Sequence, residues 1–322
     1  MNAFVTLLQR EFWEHRGGFL WAPLVVISVF VMITLMGLTI GEAHIGGRNM
    51  QISGMPIAQM LESASIEKQA EITQGIQIGL ASMAMLVQIV LGFVLFFYLL
   101  GALFDDRKDR SILFWKSMPV SDLQTVASKV ASAAVVAPVL AWAASIVFHL
   151  LMLGLLGGFL AWHGVSPIKV LWGPAEPWQL WAKMLVAIPV NALWALPCYG
   201  WLLLVSSWAR SKPFLWAVFV PVLTGLLLAW FDMLTKLRIP DSWYWTHIFS
   251  RGLFSVFPYS WSPGRTFSFG YQFDHGHSPA DLISWTSISD LLGGPNLWLG
   301  ALAGMAMLVG AIYLRRYREI AD

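Results

Sequence analysis

Long stretches without a single Asp, Glu, Lys or Arg decide what this chain can fold into. A hydrocarbon core roughly 30 Å thick is crossed by about 17 to 25 helical residues. Six charge-free stretches are long enough, near 19–40, 78–104, 130–160, 184–208, 213–231 and 297–314. The third is too long for one perpendicular span and too short for two spans and a turn, so it reads as one helix with an interfacial extension. Composition agrees: of 322 residues, 57% are hydrophobic and 12% charged, and the charges sit in short clusters between apolar runs. So few ions cannot cover a water-soluble fold of this size. The expectation is an all-α integral membrane protein of one domain, 1–322, with six transmembrane helices.

Six spans put both termini on one side. Basic residues close to spans are retained in the cytoplasm. With both termini inside, the cytoplasmic segments hold Arg10, Arg16, Arg107, Lys108, Arg110, Lys116, Lys129, Arg210, Lys212, Arg315, Arg316 and Arg318, all in short stretches. The opposite side spreads its Lys and Arg over much longer segments. The expected topology is therefore multi-pass with both termini cytoplasmic. The net charge of +2 is too mild to point to nucleic acid. The charged amphipathic start lacks a small-residue cleavage pattern, so no cleaved signal peptide is expected.

Three features lie outside the spans. In 1–16, Phe4, Val5, Leu8 and Phe12 share a helical face opposite Gln9, Arg10 and Glu14, the pattern of a helix lying in the membrane interface. The same residues could simply begin the first span. Gly17-Gly18 favours a bend, and so an elbow helix. The outer segment 41–77 carries a helix-favouring run, Ala58–Gln74, expected to extend the second helix outward. The outer segment 232–296 is dense in aromatics that prefer the headgroup zone, which predicts short helices and loops hugging the outer leaflet. Gly37/Gly41, Gly154/Gly158 and Gly300/Gly304 are pairs that let helices approach closely.

Catalytic signatures are scarce. There is no Gly-Lys dipeptide for a phosphate-cradling loop, no H-E-x-x-H, no G-x-S-x-G, and a single cysteine, Cys198. His149 falls mid-span and reads either as a satisfied packing histidine or as a group lining a pathway. Gln88 and Asn191 read as interhelical hydrogen-bond partners. Asp274, His275 and His277 form a local cluster that could serve a membrane enzyme acting at the outer leaflet, although the spacing favours an ordinary loop over a metal site. A non-transporting membrane scaffold is a further alternative.

The most informative segment joins the second and third spans. Asp105, Asp106, Arg107, Lys108 and Arg110 lead into Ile112, Leu113, Phe114 and Trp115, followed by Lys116 and by Pro119, which ends a short helix before Ser121 caps the next. Apolar knobs between charged flanks suit either docking into a partner's groove or lying on the inner leaflet.

This stretch, from Asp105 to Lys129, resembles the segment after the second span in ABC-2 type permeases, the membrane subunits of a large class of ABC exporters. The resemblance rests on Asp105-Asp106-Arg107-Lys108, Ser111-Ile112-Leu113-Phe114, Pro119-Val120-Ser121 and Lys129; the elbow and six-span layout match it too. It implies a type V exporter-like bundle and a coupling helix near Ile112–Met118 seated in a cytoplasmic ABC ATPase subunit. That subunit, not this chain, would bind ATP and Mg. The resemblance further implies a second permease copy, identical or related, contact with membrane lipid, and residence in a bacterial cytoplasmic (inner) membrane. An amphiphilic, lipid-linked or peptide substrate is expected, because no charge lies deep in a span. The outer segments are longer than the family's usual compact external helices.

Overall fold

The computed structural model describes residues 3–45, 51–52, 55–56, 66–112, 117, 120–235, 243–261 and 285–317. These are helical apart from turns and a two-residue antiparallel ladder, Gln51–Ile52 against Met55–Pro56. Six helices are long and apolar enough to cross a membrane. Helix α1 (Ala3–Arg16) passes through a π turn at Gly17–Trp21 into α2 (Ala22–Ile45), the first span. The second is α3 (Ile66–Ala102), which continues well beyond the expected outer limit, as the helix-favouring run before it predicts. A short α4 (Phe104–Lys108) opens the connector, and α5 (Asp122–Ala131) leads through a π turn into α6 (Ala137–Trp162). The fourth span is α7 (Pro177–Trp208) and the fifth α8 (Pro213–Thr235). Beyond α8 come α9 (Ser250–Phe254), α10 (Trp285–Gly293) and the last span, α11 (Pro295–Tyr317).

Proline explains three departures from α geometry. The π turns at Gly17–Trp21, Ser132–Val136 and Ile168–Trp172 each precede a proline two residues on, at Pro23, Pro138 and Pro174. A proline cannot donate to the carbonyl four residues back and its ring crowds that carbonyl, so the turn before it widens to i→i+5 bonding. Thus Ala137 N–H bonds Ser132 O, and Gly173 N–H bonds Ile168 O.

The expected bend at Gly17-Gly18 is not a turn. The helix continues through both glycines, and the non-helical dihedrals fall at His15 (φ −107°, ψ 16°). Gly18 is small for another reason: a Cβ there would meet Val94 of α3 at 2.8 Å. Phe4, Leu8 and Phe12 are half-buried, Val5 is exposed, and Leu7 and Glu11 are buried. Helix α1 therefore packs on the bundle with a face rotated toward Leu7 and Glu11, chiefly against α5.

Helix α7 is the hub, lying against α3, α6 and, most extensively, α11. The α7–α11 crossing is made by glycine. A Cβ at Gly304 would collide with the backbone of Leu196 and Pro197, and one at Gly200 with the carbonyl of Gly304. Two backbones meet there with no side chain between them, the packing that replaces hydrophobic driving force inside lipid. Gly300 instead makes room for the Arg251 guanidinium, while Gly37, Gly154 and Gly158 face open space. By contrast α8 buries only Ala217 and Gly225. Tryptophans are exposed near both ends of the spans, Trp13, Trp21 and Trp216 at one and Trp162, Trp178, Trp230, Trp285 and Trp298 at the other, as in interfacial aromatic belts. The chain is a multi-pass helical membrane protein.

Candidate functional site

Helix α1, the last turn of α11 and the described parts of the connector, 104–112 and 120–131, gather at one end of the bundle, and what joins them is charge. Glu11 of α1 is 1% exposed and takes Lys129 Nζ of α5 at 3.0 Å on one carboxylate oxygen. Its other oxygen accepts from the Tyr98 hydroxyl of α3 at 2.8 Å. Asp106 of α4 accepts from Arg315 Nη1 of α11 at 3.0 Å, with Lys129 Nζ at 3.6 Å and Arg10 Nη2 at 3.8 Å. Arg315 also donates through Nε to Asp122 Oδ1 at 3.1 Å. Three acids, Glu11, Asp106 and Asp122, thus alternate with Arg10, Lys129 and Arg315 in a network closed over α1, α4, α5 and α11. Removed from water, such charges persist only when paired and hydrogen-bonded, so each holds its partners in place.

A second bracket fixes the connector to α7. Arg107 Nη2 donates to Ser206 O at 2.7 Å and to Ala209 O at 2.8 Å, carbonyls that the end of α7 leaves without helical donors. Ser206 Oγ accepts from the backbone N–H groups of Leu103 and Phe104 at 3.0 and 2.9 Å. The chain leaving α3 is thereby held against the end of α7. Ser121 then starts α5 with a capping box. Its hydroxyl accepts from Gln124 N at 3.2 Å, and the Gln124 side chain accepts from Ser121 N at 3.1 Å, a motif worth about 1 kcal/mol.

The expected docking surface is therefore divided. Asp106, Arg107 and Ile112 are 5%, 3% and 0% exposed and turned into the protein, so they brace the connector instead of offering it to a partner. The reason is that bases from other helices lie within reach of Asp106 and bare helix-end carbonyls within reach of Arg107, while Ile112 is buried as an apolar side chain. Asp105, Lys108 and Arg110 are exposed, with Arg110 in the left-handed region (φ 58°) where α4 stops. Leu113, Phe114, Trp115, Lys116 and Pro119 lie outside the described residues, as do Asp274, His275 and His277.

His149 is fully satisfied. The Trp181 indole N–H, which can only donate, points to Nδ1 at 2.9 Å, so Nδ1 is bare and Nε2 donates to Leu80 O at 2.9 Å. The ring is neutral and locked among α3, α6 and α7, a packing histidine. Asn191 accepts from Tyr259 N at 3.1 Å, tying α7 to the segment after α9 and not to another span. Gln88 makes no hydrogen bond to any described residue, which corrects its reading as an interhelical partner.

Sequence reasoning passed over Glu11, Tyr98, Asp122 and Arg315 as network members. One signal was available: Glu11 stands on the same helical face as Phe4, Leu7 and Leu8, where an acid needs a partner. No protein-family model, curated protein or solved structure matches this chain.

Proposed function

We propose that this chain is the membrane-spanning subunit of an ATP-driven exporter of the ABC-2 type, powered by a separate cytoplasmic ATPase subunit and working beside a second permease copy. The observation that carries this reading is the bracing of the 104–131 connector. Its inward residues Asp106 and Arg107 are clamped to α1, α5, α7 and α11, while Asp105, Lys108 and Arg110 remain exposed ahead of the apolar run Leu113–Trp115. A force applied to a loosely tethered loop dissipates in the loop. Applied to this connector it reaches the ends of several helices at once, because each buried ion pair resists separation.

In this reading the connector end, with both termini, is cytoplasmic. ATP and Mg act in the partner, since no phosphate-cradling loop occurs here. The substrate is amphiphilic, lipid-linked or a peptide. Export proceeds as closure of the ATPase subunits drives the connector and α1 between two packings of the spans.

The test is co-purification of the full chain with a co-expressed candidate ABC ATPase subunit. Changing Phe114 and Trp115 to Ser abolishes that association while the spans still insert; unaltered association overturns the docking claim.

A further inference from the structure

In the middle of the bundle α3, α6, α7 and the 255–259 segment enclose a cavity of about 20 Å³. Most of its wall is apolar, including Leu95, Trp142 and Ile188. Its polar members are Gln88, Asn191 and Ser255, together with two tyrosines, and none is charged at neutral pH.

Gln88 is 6% exposed, sits mid-span on α3, and has no hydrogen-bond partner among the described residues. A primary amide has two donor hydrogens and two acceptor lone pairs. Buried unpaired in a protein it costs about 1–3 kcal/mol, and in hydrocarbon more. Rotating the amide toward lipid would not help it, whereas on the cavity side it shares the lining with Asn191 and Ser255. Asn191 spends its carbonyl oxygen on Tyr259 N, which leaves its NH₂ group to donate. Ser255 donates its hydroxyl hydrogen to Arg251 O at 2.6 Å and can still accept.

We infer that this cavity is a binding site for a buried water molecule coordinated by Gln88, Asn191 and Ser255. The volume suits that ligand: a site of roughly 10–15 Å³ or more, with two to four polar partners, holds one water. It is too small for a lipid headgroup. An ion is disfavoured because no charged side chain lines the site. The water links α3 to α7 and to the 255–259 segment, and so brings α3 into the tie that Asn191 already makes directly to Tyr259.

Two experiments test the site in the full-length protein reconstituted in lipid. In a Cys198→Ala background, Gln88→Cys is challenged with methyl methanethiosulfonate, a small neutral reagent whose sulfur is attacked by a thiolate to give the S-methyl disulfide and release methanesulfinate; thiolates form only where water reaches. Gln88→Cys reacts about tenfold or more faster than Leu91→Cys, a control one turn along α3 and 1% exposed. Equal inertness at both positions means a dry cavity and overturns the inference. Should the Cys variant fail to fold, an experimental structure of the unaltered protein decides. Ordered water density at hydrogen-bonding distance from the Gln88 amide supports the site, and an empty cavity or elongated lipid density there overturns it.

Discussion

Lys129 and Glu11 face each other at 3.0 Å with 2% and 1% of their side chains exposed, although 118 residues separate them in the chain. The pair fastens α1 to α5, and through Tyr98 and Asp106 it engages α3 and α4 as well. Removing one partner strands the other charge away from water. Glu11→Ala is therefore expected to destabilise the folded protein by about 3–5 kcal/mol. The Glu11→Leu/Lys129→Met double variant removes both charges and recovers most of that loss. Thermal unfolding in detergent, compared across wild type, singles and double, checks the cycle; additive losses would count against the pair.

Arg315 extends the same logic to the C-terminal end of α11, where it bridges Asp106 and Asp122 from a position 2% exposed. Lysine keeps the charge but reaches only one carboxylate, because the planar fork that contacts two acids at once is lost. Arg315→Lys is expected to lose about 1–3 kcal/mol, and Arg316→Lys, exposed one residue later, under about 0.5 kcal/mol. Unfolding midpoints of the two variants measure the difference.

The α7–α11 crossing gives a steric prediction. Gly304→Leu inserts a side chain where the backbone of Leu196 and Pro197 already lies, so α11 must move away. Loss of folded, monodisperse protein is expected in size-exclusion chromatography, since overpacking commonly costs about 1–3 kcal/mol and backbone cannot yield as a side chain can. Gly37→Leu, which meets nothing within 4 Å, should leave the elution profile unchanged.

Several of these features were legible in the chain and others were not, for a physical reason. Charge-free length announced the spans, because lipid forces every backbone polar group to be satisfied within the helix. Ser121 announced the start of α5 through local cap chemistry. The role of Gly304 was announced only as a tendency: Gly300/Gly304 and Gly154/Gly158 look alike in sequence, yet one pair is packed against other groups and the other faces open space. The ion network was hidden because its pairs span very different positions; Arg315 and Asp106 are 209 residues apart. Charges near spans read naturally as topology signals, and that reading gives no warning that Asp106 and Arg107 turn inward. Glu11 was the exception, an acid on an apolar helical face.

A last prediction concerns α8, whose interior Pro221 cannot donate to Ala217 O four residues earlier. That carbonyl belongs to a residue 0% exposed, and the Trp201 indole N–H of α7 reaches it at 3.1 Å, taking the place of the missing backbone donor. Trp201→Phe keeps the ring packing but leaves the carbonyl without its donor, an expected loss of about 1–3 kcal/mol. Pro221→Ala supplies a backbone N–H at the right position in the helix, so Ala217 O regains a partner from its own chain. The double variant Trp201→Phe/Pro221→Ala should then be less destabilised than the sum of the singles, by about 0.5–3 kcal/mol. Additivity across the four proteins in thermal unfolding would show that the indole merely packs against α8. A positive coupling would show that a side chain of the hub helix completes the hydrogen bonding of the least buried span, which is how a helix with so few packed residues is held to the bundle.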